Sequence, residues 1–214
     1  MKLYITRHGK TQWNIEGRFQ GVQDSPLVES GIRDAKDLSL YLKDVEFKKV
    51  FSSPLGRAKQ TAQIVFQNRD VEIEENQNIC EMNFGVFEGM KKEDIIKEYD
   101  ELYDYLWNHP EKFTKCPGGG ESFSDVRKRV IDFLDKMKQF AQNDNVFIVT
   151  HGMYFVCLLG YILGYAPIDF PKINRQIVRG CSITIVEINN DDMKVLTLGD
   201  DSFLVPEEKM SFIK

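Results

Sequence analysis

The sequence predicts an α/β protein: a three-layer sandwich with a central, mostly parallel sheet, helices on both faces and a small helical cap inserted into it. Short apolar runs rich in β-branched residues alternate with segments of helical periodicity, which is typical of parallel sheets. Two of these runs, residues 3–6 and 147–150, end in Thr and then present a His–Gly pair. An aromatic and charged stretch, residues 82–121, interrupts the alternation and predicts the cap.

The amino-terminal half predicts two main strands and two helices. The dense apolar run over 3–6 fits a central strand, whereas residues 9–30 contain several glycines and resemble a loop. Apolar residues then recur at helical spacing over 32–42. The next expected elements are a strand over 45–51, a helix over 54–68 with Ser53 as its cap, and a short strand over 71–73.

The carboxy-terminal half begins with a capping-box pattern at Ser122 and Asp125. It opens a helix whose apolar stripe is Phe123, Val126, Val130, Phe133, Met137 and Phe140. The remaining expected elements are a strand over 146–149, a buried helix over 152–164, and a hairpin with strands over 181–188 and 193–198. We expect a single domain over 1–214, with the cap at about 82–121.

Composition limits the partners. The net charge of −5 gives no electrostatic reason to expect nucleic acid. The longest apolar stretch, 153–163, is shorter than the roughly 20 residues that cross a bilayer, so we expect no membrane span. The four cysteines show no metal or redox spacing. These features predict a cytoplasmic protein with reduced thiols and no metal or cofactor. They leave the oligomeric state open, with a homodimer among the expectations.

The candidate site follows from the sheet. In open α/β sheets, ligands bind beyond the carboxyl ends of the strands. Three such ends carry Arg7 and His8, Ser53, and His151. Arg57 lies one turn into the helix that follows the second strand. Guanidiniums bind phosphate with paired hydrogen bonds, so two of them around two imidazoles predict a pocket for a phosphate dianion.

The chemistry of that pocket suggests nucleophilic catalysis. Nearby guanidiniums oppose protonation of His8, and a neutral imidazole can attack phosphorus to give a phosphohistidine. The arginines would then stabilise the transferred phosphoryl group. The leaving alkoxide needs a proton from a carboxylic acid. Glu81 is the better candidate because apolar residues surround it in the sequence, and Glu88 is the alternative.

Five ordered motifs resemble those of the histidine phosphatase superfamily, the phosphoglycerate-mutase-like proteins. They are Arg7–Asn14 (RHGKTQWN), Arg18–Gly21 with Asp24–Leu27, Ser52–Ala62 (SSPLGRAKQTA), Glu81–Gly89, and Gly119–Ser122 with Val149–Gly152. The resemblance implies that His8 is the phosphorylated nucleophile and Glu81 the proton donor. It assigns the phosphate pocket to Arg7, Arg57 and His151. It adds contacts to phosphate or substrate from Asn14, Gln20 and Gly21.

Departures from the family pattern indicate its phosphatase branch. Mutases follow the donor Glu with Arg-His-Tyr-Gly, whereas this chain has residues 82–85 as Met-Asn-Phe-Gly. Lys10 replaces a frequent Glu, and its role is open. The leading hypothesis is a metal-independent phosphomonoester hydrolase that takes a small phosphorylated substrate and releases inorganic phosphate. The alternatives are a phosphoglycerate mutase, an α-ribazole phosphatase, a non-catalytic phosphate-binding module, and a metallohydrolase built on the two histidines. Specificity is assigned to the cap and, less directly, to the tail 201–214.

Overall fold

The computed structural model describes residues 1–174, 179–189 and 192–206. Within these residues, six strands form one sheet, and helices of 5 to 16 residues connect them. The strands are β1 (Lys2–Arg7), β2 (Lys49–Ser52), β3 (Ile73–Glu75), β4 (Asn145–Thr150), β5 (Ile183–Asn189) and β6 (Asp192–Asp200). The helices are α1 (Gln12–Glu16), α2 (Glu29–Tyr41), α3 (Gly56–Phe66), α4 (Lys92–Trp107), α5 (Phe123–Met137), α6 (Gly152–Ile162) and α7 (Phe170–Asn174).

The strand order is β3-β2-β4-β1-β5-β6. Strands β3, β2, β4 and β1 run parallel, and β5 and β6 extend the sheet in antiparallel fashion. The register pairs Arg7 with Thr150 and Ser52 with Val149. The carboxyl ends of β1, β4 and β2 therefore lie side by side, so the loops that follow them share one edge of the sheet.

Two apolar clusters cover the two faces of the sheet. One face packs against α5, α6 and the cap through residues such as Phe133 and Leu158. The other packs against α2 and α3 through residues such as Leu38 and Val65. Helices on both sides of a mostly parallel sheet confirm the predicted α/β sandwich.

The cap segment contains a 3-10 turn at Gly85–Phe87 and the long helix α4. Its ends meet beside the sheet, because Glu121 N–H donates to Asn83 O at 2.8 Å and Asn83 N–H donates to the Glu121 carboxylate at 2.9 Å. The cap thus leaves and rejoins the body at adjacent points, as an insertion does. The description of 1–214 as one domain stays a prediction.

Several predicted boundaries were wrong. The loop over 9–30 contains the short helix α1, and the second strand begins at Lys49 rather than at 45. The third strand lies at Ile73–Glu75. Helix α3 begins at Gly56 with Leu55 as its cap residue and no side-chain cap bond. Ser53 was misassigned as that cap because its hydroxyl lies 2.7 Å from His151 Nε2 instead.

Other sequence predictions were confirmed. Strand β4, helix α6 and the antiparallel pair β5–β6 are present, although residues 190 and 191 of the predicted turn lie outside the described residues. Phe140 lies beyond the end of α5 but still packs against the core. In the tail, Phe203 stacks on Tyr41 with ring centroids 4.1 Å apart, on the α2 side of the sheet. Phe212 falls outside the described residues.

No single described helix is long and apolar enough to span a bilayer. Gly152–Ile162 and Pro167–Ile173 reach that length and hydropathy only as a pair bent by 113°. The first of these two helices is buried inside the protein over most of its length. All four cysteines are free thiols.

Replacing Ser122 by Ala is expected to lower the free energy of unfolding by about 1 kcal/mol. The Ser122 hydroxyl accepts the Asp125 N–H at 3.2 Å, and the Asp125 carboxylate accepts the Ser122 N–H at 3.1 Å. The measurement is equilibrium unfolding in urea. The exposed Ser124, on the same helix, supplies the control, and an equal loss in Ser124→Ala would contradict the capping role.

Candidate active site

The imidazole of His8 lies directly after β1 and is 2% exposed. Its Nδ1 is 2.8 Å from Gly9 O, and its Nε2 is 3.2 Å from Arg57 Nε. Because a carbonyl oxygen only accepts and Nε–H only donates, Nδ1 carries the proton and Nε2 holds a lone pair. Burial, followed by the charges of Arg57 and Arg7, lowers the pKa of His8 well below 6.5. The ring is therefore a neutral potential nucleophile.

The Arg57 guanidinium is held in place on almost every side. It is 1% exposed, and it donates to Gln23 O at 2.6 Å, Gly21 O at 2.8 Å and the Asp24 carboxylate at 3.0 Å. Its Nε–H faces His8 Nε2. The loop after α1 thus supplies the partners that fix this cation beside the imidazole.

Arg7 and His151 complete the cluster of four predicted residues. The rings of His8 and His151 have centroids 5.2 Å apart. Arg7 lines the cavity beside His8, whereas His151 is fully buried behind its surface. Burial, with the nearby Arg57 charge as the next cause, lowers the pKa of His151 well below 6.5. Arg7 Nε and His151 Nδ1 are both buried without a hydrogen-bond partner among the described residues.

The Ser53 hydroxyl is the hydrogen-bond partner of the His151 ring. It lies 2.7 Å from His151 Nε2, accepts the Leu55 N–H at 3.3 Å and is 3.7 Å from the Cys80 sulfur. Nε2 is thus engaged, and Nδ1 is the nitrogen of His151 that stays available for a further contact.

Glu81 lies at the amino terminus of α6 and is 8% exposed. Its Oε1 accepts the N–H groups of Met82, Met153 and Tyr154 at 2.9, 3.1 and 3.0 Å. Oε2 has a single longer contact, 3.2 Å from Met153 N. The surroundings are thus more polar than the sequence suggested. Oε2 is the oxygen that remains free to exchange a proton with a substrate.

Glu88 has a different position. Its carboxylate accepts the N–H groups of Phe84 at 2.9 Å, Val22 at 3.0 Å and Gln23 at 3.2 Å, and it does not line the cavity. It joins the loop that holds Arg57 to the start of the cap. Of the two candidate acids, Glu81 is the one that lines the cavity together with His8.

The three residues assigned only by resemblance all line the cavity. Asn14 also caps α1, since its Oδ1 accepts the Thr11 N–H at 3.0 Å. Gln20 Oε1 lies 3.1 Å from the Thr11 hydroxyl. Gly21 has a φ of +53°, and a Cβ there would lie 1.9 Å from Glu88 Oε1, so only Gly fits this turn. Their contact with substrate stays a prediction.

The cavity encloses about 150 Å³. Its lining combines His8 and several charged groups with a set of apolar side chains. The apolar wall consists of Phe19, Phe84, Trp107, Met153 and Val156. Two cap aromatics therefore reach the cavity, as the assignment of specificity to the cap requires. No residue of 201–206 lines it, so the described part of the tail does not contribute.

Sequence reasoning missed several residues around the site. Arg18 lines the cavity and is ion-paired with Glu16 at 2.6 Å. Asp24 accepts a hydrogen bond from Arg57. Ser53 was expected at this edge of the sheet, but its contact with His151 was not. Their motifs were visible in the sequence, but nothing in a short polar loop indicates which oxygen faces a guanidinium.

A metal-ion site is not supported by the site's own charges. Two guanidiniums beside His8 oppose the approach of a divalent cation. Among residues 1–174, 179–189 and 192–206, no group of three or more His, Cys, Asp or Glu side chains is arranged to hold a metal ion. This is a finding about the described residues only.

The fold and the site together define an α/β protein with two guanidiniums beside a neutral imidazole in one cavity. The family model of the histidine phosphatase superfamily (branch 1) matches residues 3–201, and the chain belongs to that superfamily. A probable phosphoglycerate mutase, GpmB of Shigella boydii, is 32% identical over 87% of this chain and 85% of that protein. The structure of YhfR from Bacillus stearothermophilus is 33% identical, with a TM-score of 0.89, and covers 95% of this chain and 99% of that one. The α-ribazole phosphatase of Shigella flexneri is 27% identical, with a TM-score of 0.81 over 98% and 100% of the two chains.

The lowered pKa values predict that His8 and His151 stay neutral at pH 6, where an ordinary imidazole of pKa about 6.5 is mostly protonated. The measurement is an NMR titration of the ring Cε1–H signals, with His8→Asn used for assignment. Unfolded histidines take up protons below about pH 6.5, so these two rings also make stability fall as the pH decreases below that value. A titration midpoint for His8 at or above 6.5 would contradict the burial argument.

Proposed function

We propose that the protein is a metal-independent phosphomonoester hydrolase that works through a phosphohistidine at His8 on small phosphorylated metabolites. One observation carries the proposal: a neutral imidazole whose Nε2 lone pair lies beside the buried Arg57 guanidinium, at the edge of the cavity. Such an arrangement suits attack on a phosphoryl group, because the nucleophile is uncharged and its surroundings are cationic.

The first step transfers the phosphoryl group to the protein. His8 Nε2 forms a bond to phosphorus while the bond from phosphorus to the ester oxygen breaks. Glu81, acting as a carboxylic acid, gives a proton from Oε2 to the departing alkoxide. Arg7 and Arg57 donate to the phosphoryl oxygens and stabilise their charge through the transfer, and His151, buried beside His8, is the further pocket residue that the family resemblance assigns.

The second step returns the protein to its starting state. Glu81, now ionised, takes a proton from water, and the water oxygen attacks phosphorus as the bond to His8 Nε2 breaks. Inorganic phosphate leaves, and Glu81 is protonated again. No cofactor takes part in this cycle. The product alcohol and phosphate account for every atom of the ester and the water.

A phosphohistidine should be trapped during turnover. Quenching at alkaline pH during turnover of ³²P-labelled substrate is expected to leave label on the wild-type protein that acid treatment then removes, and His8→Ala is expected to lose both the label and turnover. A wild-type protein that binds phosphate but neither hydrolyses esters nor takes up label would instead be a binding module. Activity lost with a chelator and restored by a divalent ion would favour the metallohydrolase.

A phosphoglycerate mutase is the second candidate, supported by the name of the Shigella boydii relative. Arg18, a third cation on the cavity wall, is a candidate partner for a substrate carboxylate. Against it, the segment after Glu81 brings no charge to the cavity. Met82 is fully buried and Phe84 forms part of the apolar wall. The α-ribazole phosphatase relative supports the hydrolase.

Phosphate release is therefore expected to exceed the interconversion of phosphoglycerates. Both are measured on one preparation with the bisphosphoglycerate primer present, and His8→Ala gives the background of each assay. Interconversion far faster than phosphate release would overturn the preference for a hydrolase. A screen of sugar phosphates, nucleotides and α-ribazole phosphate would then rank the substrates.

A further inference from the structure

Arg129, on α5, binds the backbone of the segment that carries Glu81, but its own side chain does not line the cavity. Its NH1 donates to Asn78 O at 2.8 Å and to Cys80 O at 3.0 Å, and its NH2 lies 3.3 Å from Glu81 O. The side chain is 19% exposed and does not line the cavity. A single guanidinium thus binds three carbonyl groups over four residues of chain, so it fixes the backbone leading into Glu81.

Glu121 holds the other side of the same segment. Its carboxylate forms a two-point ion pair with Arg129, with both N–O distances 2.9 Å. The same carboxylate accepts the Asn83 N–H at 2.9 Å, and Glu121 N–H donates to Asn83 O at 2.8 Å. The ion pair therefore binds the backbone on both sides of Glu81. Arg129 binds carbonyl groups before it, and Glu121 binds Asn83 after it.

The segment needs such support because it has little regular structure of its own. Residue 81 lies between two short 3-10 turns, Gln77–Ile79 and Gly85–Phe87, and belongs to no strand. Arg129 Cζ also lies 5.5 Å from the ring centre of Tyr154, whose N–H donates to Glu81 Oε1. Among the described residues, Glu81 thus accepts hydrogen bonds from the adjacent Met82 N–H, from the amino terminus of α6 and from Arg129 of the ion pair.

We propose that the Arg129–Glu121 ion pair is a positioning device that aims Glu81 Oε2 at the leaving-group oxygen. The inference rests on the proposed function, in which Glu81 protonates that oxygen. A displacement of a catalytic group by about 1 Å can cost on the order of 10²-fold in rate. Loosening the pair should therefore slow the step that needs the acid and leave binding of the phosphoryl group unchanged.

Leaving groups of different basicity separate this role from general structural support. An alkyl phosphate needs a proton on its departing oxygen, whereas nitrophenolate leaves without one. Arg129→Gln is expected to lower kcat/KM for an alkyl phosphate by on the order of 10–10²-fold and to change that for p-nitrophenyl phosphate little. This constant reports phosphoryl transfer to His8, so slow hydrolysis of the phosphohistidine does not obscure the difference.

The matched control is Arg127→Gln, two residues earlier on the same helix. Arg127 lies over the Tyr161 ring at 5.4 Å and, unlike Arg129, has no hydrogen bond to the segment 78–83 among the described residues, so it should show no dependence on the leaving group. Glu81→Gln is the reference variant. The double variant Glu81→Gln with Arg129→Gln should lose no more activity towards the alkyl phosphate than Glu81→Gln alone. Both changes affect the same step, the protonation of the leaving group.

Equal losses with both substrates in Arg129→Gln would overturn the inference and make the ion pair purely structural. Where Arg129→Gln folds poorly, Glu121→Gln tests the same pair and should show the same dependence on the leaving group, to a smaller degree. A Glu81→Gln variant with no such dependence would refute the acid role in the proposed function. Dependence in Glu81→Gln that is absent from both partner variants would refute the positioning role alone.

Discussion

The cost of burying a guanidinium shapes the whole site. A buried cation needs hydrogen-bond partners for its N–H groups, and Arg57 obtains them from the loop 21–24. That loop is itself held by Glu88, which accepts two of its N–H groups. Arg57 is therefore held beside His8, and its charge acts at short range in a buried environment. Burial of the His8 ring, together with this fixed charge, keeps the ring neutral. The same loop requires Gly21, where a Cβ would strike the Glu88 carboxylate.

The order of the strands determines which residues meet at the site. Strand β4 lies between β1 and β2 and runs parallel to both. The chain reversals after His8, Ser53 and His151 thus fall at one edge of the sheet. An antiparallel β4 would carry His151 to the opposite edge, about 20 Å away for a six-residue strand. The parallel pairing therefore makes the contact between the two rings possible, and the crossover helices make the parallel pairing possible.

These two constraints explain what the sequence could predict. Local sequence patterns mark the strands that end at His8 and His151 and the helix that carries Arg57. Because parallel strands bring their carboxyl ends to one edge of the sheet, the position of these residues could be predicted from the sequence. Ser53 was misassigned because its hydroxyl fits a helix cap as well as it fits His151 Nε2, and only the register of β2 against β4 decides between them. Arg129 was missed for a related reason. A charged residue beside the apolar stripe of α5 resembles a solvated surface group until the carbonyls facing it are known.

The ion pair of Arg129 and Glu121 also lies where the cap meets the body. Phe84, on the cavity wall, is only three residues from Glu81, so an unrestrained cap would move the acid with every adjustment to a substrate. The pair closes the two ends of the cap at Asn83 and fixes the carbonyls on the body side of Glu81. Motion of the cap beyond Asn83 can then reshape the apolar wall without displacing Oε2. Under the proposed mechanism, this arrangement would let the cap adapt to a substrate while the carboxyl group of Glu81 stays in place.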